Sequence, residues 1–218
     1  MANKIRLPND THRIAIIGKT GSGKTQAAAW HLSNRNFHKI PWVIIDFKLD
    51  GLLGELPAQE IGIKDNPPRK PGLYIVHPLP DQESEVEEFL WKLWAKEDIG
   101  LYIDEGYMIG NSPAFRAILT QGRSKNIPVI VLSQRPVWMS RFVFSESDFY
   151  QVFWLNDARD RKTVNAFVPT DINKRLEDFH SIYYDVGDDN LVIMKPVPGR
   201  DEIIERFNQR LLPKKRIL

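Results

Sequence analysis

The feature that most constrains the fold of this chain is a glycine-rich segment, Gly18-Lys19-Thr20-Gly21-Ser22-Gly23-Lys24-Thr25. It fills every fixed position of the pattern G-x-x-x-x-G-K-[ST]. The apolar run at residues 13–17 predicts a buried strand before it, and residues 26–32 predict a helix after it. In this context glycines let backbone N–H groups turn towards phosphate oxygens at the positive end of the helix. The segment therefore predicts a phosphate-binding loop rather than a glycine-rich turn without a ligand.

The residues of this loop predict binding of ATP together with Mg²⁺. Lys24 is expected to reach the β- and γ-phosphates and to take part in catalysis, and the Thr25 hydroxyl is expected to coordinate the metal ion. The residues expected to contact the nucleotide are Gly18, Lys19, Thr20, Gly21, Ser22, Gly23, Lys24, Thr25 and Gln26.

Composition is typical of one globular domain and excludes several kinds of site. Of the 218 residues, 42% are hydrophobic and 27% are charged. The chain has no cysteine, which excludes disulfides, thiolate zinc sites and cysteine nucleophiles. No apolar run approaches the roughly 18–20 residues of a membrane span, and the N-terminus lacks a signal-peptide core. We therefore expect a cytosolic protein that is neither secreted nor transmembrane.

Strand and helix patterns alternate along the chain, which predicts an α/β fold with a mostly parallel central sheet flanked by helices. The expected strands are residues 42–46, 73–76, 100–104, 128–132 and 149–154. The expected helices are residues 83–96, 114–124, 157–167 and 201–212, and a loop-rich insert spans residues 48–72. Residues 181–186 and 191–195 predict a hairpin. We expect a single domain over 1–218, with a core at 13–166, a C-terminal hairpin and helix at 178–212, and a basic tail at 213–218.

A second motif is the apolar strand that ends in Asp104-Glu105. Asp104 is expected to hold the Mg²⁺ ion, in part through water, and Glu105 to polarise the attacking water. Paired acids at a strand end could also form an exposed turn. Because the phosphate-binding loop is independent of this motif, the pair favours a site for ATP hydrolysis.

A third feature is the apolar strand that delivers Ser133 and Gln134 to the same edge of the sheet as Asp104. A glutamine at this position could bond both the γ-phosphate and the attacking water, and so sense whether the nucleotide is intact. The alternative is that Gln134 caps the loop that it enters.

The segment at residues 122–128, GRSKNIP, runs into residues 132–136, LSQRP. It resembles the Gly-Arg-x-x-Gly-Ile…Gln-Arg-Pro signature of the FtsK/HerA family of DNA-pumping ATPases, and residues 157–164 resemble that family's Asp-Ser-Arg-Thr segment. The resemblance covers about residues 13–166 and is strongest to the genome-packaging ATPases of tailless, internal-membrane phages. It implies the ASCE, RecA-like type of P-loop NTPase fold. Asn126 departs from the pattern, since the family has glycine there.

The resemblance also implies a ring-shaped homo-oligomer, a hexamer, in which a neighbouring subunit completes each ATP site. Arg123 is the first candidate for the arginine finger that acts in trans, followed by Arg161 and then Arg135. The alternative for Arg123 is a contact with the acidic segment at 81–105, or a cap on the preceding helix.

Pore-facing loops of such rings hold the DNA backbone without reading its bases. Two segments are candidates for this contact, residues 138–142 and residues 48–51, although Trp138 and Phe142 are equally suited to a subunit interface. The basic tail at 213–218 could contact phosphates or an acidic neighbour, or could simply be solvated.

Three functional hypotheses follow. The first is an ATP-driven DNA translocase that packages viral double-stranded DNA into a preformed capsid. Its expected partners are capsid or portal-vertex proteins, and its expected locations are the host cytoplasm and the packaging vertex. The second is a ring motor of the same family for plasmid transfer or filamentous phage extrusion. The third is a small-molecule P-loop kinase, against which Glu105 argues.

Overall fold

The computed structural model describes residues 5–211, in which nine strands form one sheet in the order β3-β4-β2-β5-β6-β1-β7-β8-β9. All neighbours from β3 to β7 are parallel, and β8 and β9 add antiparallel strands after β7. The strands are β1 (Ile14–Ile17), β2 (Pro41–Asp46), β3 (Gln59–Glu60), β4 (Gly72–Val76), β5 (Gly100–Asp104), β6 (Val129–Ser133), β7 (Phe149–Val152), β8 (Ser181–Asp185) and β9 (Asn190–Met194).

Helices cover both faces of this sheet. They are α1 (Lys24–Ser33), α2 (Glu83–Lys96), α3 (Pro113–Gln121), α4 (Arg141–Ser145), α5 (Ala158–Asn165) and α6 (Arg200–Leu211). One apolar cluster joins α1 and α6 to one face, and a second joins α2, α3, α4 and α5 to the other. Along β1, Ile14 and Ile16 enter the first cluster, and Ala15 and Ile17 the second. This two-sided burial explains why the central strands are continuous apolar runs.

The predicted α/β fold with its C-terminal hairpin and helix is confirmed, and most element boundaries differ by one to three residues. The helix expected over 114–124 ends at Gln121, because Gly122 caps it by donating its N–H to the carbonyl of Ile118 at 2.8 Å. The insert at 48–72 contains the short edge strand β3 and a 3₁₀ turn at Leu53–Glu55, neither of which the sequence predicted. The helix α4 was also not predicted. The basic tail at 213–218 lies outside the described residues.

Asn126 stands where the signature that the sequence resembles has glycine. Its φ is +53°, in the left-handed region that asparagine tolerates better than most residues. Its amide donates a hydrogen bond to Asp98 Oδ1 at 2.8 Å. Asn126 therefore adopts the left-handed conformation itself in the turn that leads into β6. Within residues 5–211, no helix is both long enough and apolar enough to cross a bilayer.

The helix that follows the phosphate-binding loop contains a buried histidine whose titration should destabilise the protein in acid. His31 bonds Gln151 Oε1 through Nε2 at 2.8 Å, and Gln151 donates in turn to Ser181 Oγ at 2.9 Å. The pKa of His31 is lowered to about 3, mainly by burial and also by the nearby Arg35 guanidinium, although the bond to Gln151 opposes this shift. The neutral imidazole is therefore the form that the fold accepts.

We expect the free energy of unfolding to fall as pH falls from about 6.5 towards 3, because the unfolded chain then binds a proton that the folded chain excludes. The loss approaches about 1.4 kcal/mol per pH unit. The free energy of unfolding of the wild type and of His31→Gln can be measured by chemical denaturation between pH 7 and 4.5. Plotted against pH, it should have a steeper slope for the wild type. His38→Gln, at an exposed position nearby, is the control and should keep the wild-type slope. Equal slopes for the wild type and His31→Gln would contradict the expectation.

Candidate active site

The glycine-rich segment forms a loop between β1 and α1, at the carboxyl ends of the central strands. Gly18 donates its N–H to the carbonyl of Ser133 at 3.1 Å, and Lys19 donates to the carbonyl of Trp154 at 2.9 Å. These bonds tie the loop to the ends of two flanking strands. Gly23 has a φ of +93° directly before the helix, a conformation that a side chain would strain. The loop therefore has the strand–loop–helix setting that phosphate binding requires.

Six of the nine predicted nucleotide ligands line a cavity of about 440 Å³, and Gly18, Lys19 and Ser22 are not part of its lining. Its walls include Thr20, Gly21, Gly23, Lys24, Thr25, Gln26, Asp104 and Glu105. Lys24 is buried, and its Nζ lies 3.5 Å from Glu105 Oε1. The side chain of Gln26 donates to the carbonyl of Pro198 at 2.7 Å, so it links this helix to the segment before α6. The cavity thus brings the two sequence motifs together on one surface.

Asp104 and Glu105 follow one another at the end of β5, but their environments differ. Glu105 is fully buried and has a φ of +58°, which is uncommon for any residue other than glycine. Its Oε2 accepts the backbone N–H of Gln134 at 3.1 Å, and its Oε1 accepts a short hydrogen bond from Lys48 Nζ. Such backbone strain is found where a structure must aim a side chain, and here it aims a carboxylate into the cavity.

Asp104 has the properties of a metal ligand that works with phosphate oxygens. The pKa of Asp104 is raised to about 7, mainly by burial and also by the charges of Glu105 and Asp46. Its Oδ1 is buried and has no hydrogen-bond partner among the described residues. Within residues 5–211, no cluster of three or more His, Asp or Glu side chains could hold a metal ion. A buried carboxylate oxygen without a partner, beside the glycine-rich loop, fits Mg²⁺, which needs only one or two protein ligands when phosphates supply the others.

Sequence reasoning missed an acidic residue that lies beside this site. Asp46 ends β2 directly beside Asp104 in the strand register. Its carboxylate accepts the backbone N–H groups of Lys48 and Asp50, both at 3.0 Å, and so shapes the turn that follows. Desolvation raises the pKa of Asp46. The signal was present, because Asp46 follows a fully apolar strand just as Asp104 does.

Gln134 connects the loop, the buried glutamate and a tyrosine. Its Oε1 accepts a short hydrogen bond from the Thr20 hydroxyl, and its Nε2 donates to the Tyr107 hydroxyl at 3.3 Å. Its backbone N–H bonds Glu105, as described above. The side chain therefore lies beside the phosphate-binding loop, where the predicted sensor role would place it.

Two aromatic residues border the other side of the loop. Phe153 and Phe179 line a smaller cavity of about 170 Å³ together with Gly23, Pro196 and Val197. Phe179 has a φ of +61°, and its ring is 55% exposed. An apolar, partly open surface next to a phosphate-binding loop is suited to the flat face of a nucleobase.

Arg123 lies at the opposite edge of the sheet from the cavity, just before β6. Its Nη2 lies 2.5 Å from Asp148 Oδ1, and its side chain is 70% exposed. The contact is thus with Asp148 rather than with the acidic segment at 81–105 or the end of α3. The five residues of β6 span about 16 Å, so Arg123 cannot reach its own subunit's cavity. Any role in hydrolysis would have to be in a neighbouring subunit.

The other two candidate arginines are held by several contacts within the chain. Arg161 donates to the carbonyls of Leu155 and Asn156 at 2.7 and 2.8 Å, and it lies over the Trp154 ring. Arg135 pairs with Asp157 at 3.2 Å and with Asp160 at 3.5 Å. Both would have to break these bonds in order to reach a neighbour.

The two segments predicted to contact DNA both include exposed apolar side chains. In residues 138–142, Trp138 is 58% exposed and Phe142 is 39% exposed, and Arg135 lies 4.5 Å over the Trp138 ring. In residues 48–51, Leu49 is 72% exposed, while Lys48 points inward to Glu105. The second segment therefore touches both solvent and the buried carboxylate.

The chain is 53% identical over 216 residues to the DNA packaging ATPase P9 of Enterobacteria phage PRD1, covering 94% of this chain and 95% of P9. No family model matches it. Its fold is similar to that of the genome packaging NTPase B204 from Sulfolobus turreted icosahedral virus 2 in complex with AMPPCP. The TM-score is 0.69 at 19% identity, covering 87% of this chain and all of B204 (100%). The pCW3 conjugation coupling protein TcpA with ATPgS has a TM-score of 0.59 at 13% identity, covering 89% of this chain and 64% of TcpA. At these identities the two structures show a shared fold alone.

Proposed function

The chain belongs to the family of phage DNA packaging ATPases that includes P9 of PRD1, and from this premise we propose that it drives a double-stranded viral genome into a preformed capsid. This membership agrees with the function predicted from the sequence, which is that of a DNA packaging ATPase with ATP as its substrate. The observation that carries the proposal is the identity over nearly the whole length of both chains. It is supported by a cavity lined by much of the glycine-rich loop together with Asp104 and Glu105. The double-stranded state of the DNA and the preformed capsid are part of the proposal. We treat residues 1–218 as one ATPase domain.

In the proposed reaction the phosphate-binding loop holds the triphosphate while Glu105 accepts a proton from the attacking water. The water oxygen then bonds to the γ-phosphorus, the bond to the β–γ bridging oxygen breaks, and ADP and phosphate leave. Lys24 neutralises charge on the β- and γ-phosphates. Gln134 is the proposed sensor of the γ-phosphate, and the hydrogen bond that it accepts from Thr20 of the loop supports this role.

We propose that Thr25 and Asp104 hold Mg²⁺, with water between the ion and part of this ligand set. When bound, the ion would neutralise charge on the phosphate oxygens and orient them. The unpartnered Asp104 Oδ1 supports this assignment, and a bound cation would favour the ionised carboxylate despite its burial.

The proposed assembly is a ring of identical subunits, a hexamer, in which Arg123 of one subunit reaches the γ-phosphate bound by the next. The exposure of Arg123 and its position at the far edge of the sheet support this arrangement. Arg161 is the alternative finger. The DNA backbone is the proposed cargo contact, and capsid or portal-vertex proteins are the proposed docking partners. The proposed locations are the host cytoplasm and the packaging vertex.

Hydrolysis by the purified protein tests the function. With Mg²⁺, ATP turnover should rise when double-stranded DNA of unrelated sequences is added, because a packaging motor acts on the backbone and not on bases. The added rate should fall steeply between low and moderate salt. Turnover that depends on a nucleoside or sugar instead of DNA would support a small-molecule kinase. Turnover that DNA does not change at any salt concentration would remove DNA translocation as the function.

A further inference from the structure

One wall of the nucleotide cavity comes from the C-terminal part of the chain. Arg200, the first residue of α6, lines the cavity of about 440 Å³ together with residues of the glycine-rich loop. Its side chain is 44% exposed, so a ligand in the cavity can approach the guanidinium. Lys24 and Lys48, which also line the cavity, both contact Glu105. Arg200 instead pairs with Glu55, which is not part of the cavity lining.

The contacts of Arg200 are of a kind that a ligand can replace. Its Nε donates to Glu55 Oε2 at 3.1 Å, and its Nη2 donates to the carbonyl of Gly51 at 2.7 Å. The side chain of Glu55 is 57% exposed, and ion pairs between exposed side chains contribute little to stability because water screens them. A guanidinium has five N–H donors in a planar fork that matches phosphate oxygens. Arg200 can therefore bind a phosphate beside these acceptors or in their place.

The backbone that carries Arg200 is held next to the phosphate-binding loop. Gln26, in the first turn of α1, donates through Nε2 to the carbonyl of Pro198 at 2.7 Å. At the other end of α1, Asn34 Oδ1 accepts a hydrogen bond from Arg206 Nη2 at 2.6 Å. The helices α1 and α6 therefore run side by side in the same direction, and both begin at the cavity. Arg200 thus has a fixed point of attachment beside the first turn of α1.

We propose that Arg200 binds a phosphate oxygen of ATP in its own subunit, and that it exchanges Glu55 for the nucleotide when ATP enters the cavity. This inference rests on the proposed ATP site and deepens it, since it assigns a phosphate ligand far along the chain from the glycine-rich loop. A triphosphate carries more negative charge than the single carboxylate of Glu55. It also binds in a partly enclosed cavity, where water screens the attraction less than at the exposed ion pair.

The test compares the affinity for a fluorescent ATP analogue, with Mg²⁺ and without DNA, in the wild type, Arg200→Ala, Glu55→Gln and Arg210→Ala. Arg200→Ala should weaken binding by about tenfold or more, the usual loss for a hydrogen bond between charged groups. Glu55→Gln removes the competing carboxylate, so it should bind the analogue as tightly as the wild type or more tightly. Arg210 is exposed near the other end of α6, and Arg210→Ala is the matched control that should keep the wild-type affinity.

The opposite expectations for the two partners distinguish a phosphate ligand from a structural ion pair. If Arg200 only ties α6 to the turn at residues 51–55, Arg200→Ala and Glu55→Gln lose the same ion pair and should weaken binding alike. That result would overturn the proposal, and so would wild-type affinity in Arg200→Ala. Arg200→Gln keeps a donor for the carbonyl of Gly51 and should show the same loss, so it replaces Arg200→Ala if thermal unfolding shows that variant to be unfolded. Failure of the proposed function is seen separately, as wild-type ATP turnover that DNA does not stimulate.

Discussion

Glu105→Gln is expected to lower ATP turnover by about 10²- to 10⁴-fold, the usual contribution of a positioned general base. Glutamine has almost the same shape, and its amide oxygen can still accept the N–H of Gln134, so the strained turn should persist. The amide cannot take a proton from water. Nucleotide affinity should remain within a small factor of the wild-type value, because the phosphate-binding loop is unchanged.

The measurement pairs steady-state phosphate release with binding of a fluorescent ATP analogue. Glu60→Gln, on the exposed edge strand β3, makes the same chemical change away from the cavity and should leave both quantities unchanged. Turnover by Glu105→Gln at more than a tenth of the wild-type rate would assign activation of water to another residue.

As the proposed finger in trans, Arg123 should be needed for turnover: Arg123→Ala is expected to reduce turnover by about 10³- to 10⁵-fold in the proposed ring, the contribution of an arginine finger in phosphoryl-transfer enzymes. The subunit should remain folded without the Arg123 side chain. Asp148 would still accept the hydrogen bond from the backbone N–H of Arg13, which is 2.8 Å long. Arg116→Ala, at an exposed position on the preceding helix, is the matched control.

An experiment that mixes two kinds of defective subunit distinguishes an arginine finger that acts in trans from an arginine with a structural role. Lys24→Ala subunits have a defective phosphate site and an intact Arg123, while Arg123→Ala subunits have the reverse. Mixed rings should recover part of the activity, because some intact sites then face an intact arginine. If intact mixed rings show no recovery, Arg123 is not the finger, and the same experiment with Arg161→Ala tests the alternative.

The central part of the fold followed from the sequence because its signals are local. Continuous apolar runs predicted the parallel strands β1, β2, β5 and β6, and the alternation of strands and helices predicted their arrangement. The edge strand β3 was missed because its two residues, Gln59 and Glu60, are polar and exposed. The pattern of residues 59–60 contains no apolar alternation, and their pairing depends on β4.

The site was predictable to the extent that its residues follow strands. The loop at 18–25, Asp104 and Gln134 all come at strand ends, and the structure places them around one cavity or directly beside it. The contact between Lys48 and Glu105 joins residues 57 positions apart, and only the parallel pairing of β2 with β5 brings them together. Sequence patterns therefore could not predict the contact between Lys48 and Glu105.

The strand β6 has Gln134 directly after one end and approaches Arg123 at the other, and β5 and β1 are hydrogen-bonded along its two sides. A strand that is hydrogen-bonded along both sides is stiff, so its two ends are expected to move together. A displacement at Gln134 would therefore be passed along β6 towards Arg123, the residue proposed to complete the site of a neighbouring subunit. In the proposed ring, this rigid connection would let ATP hydrolysis in one subunit set the timing of hydrolysis in the next, without any additional coupling element.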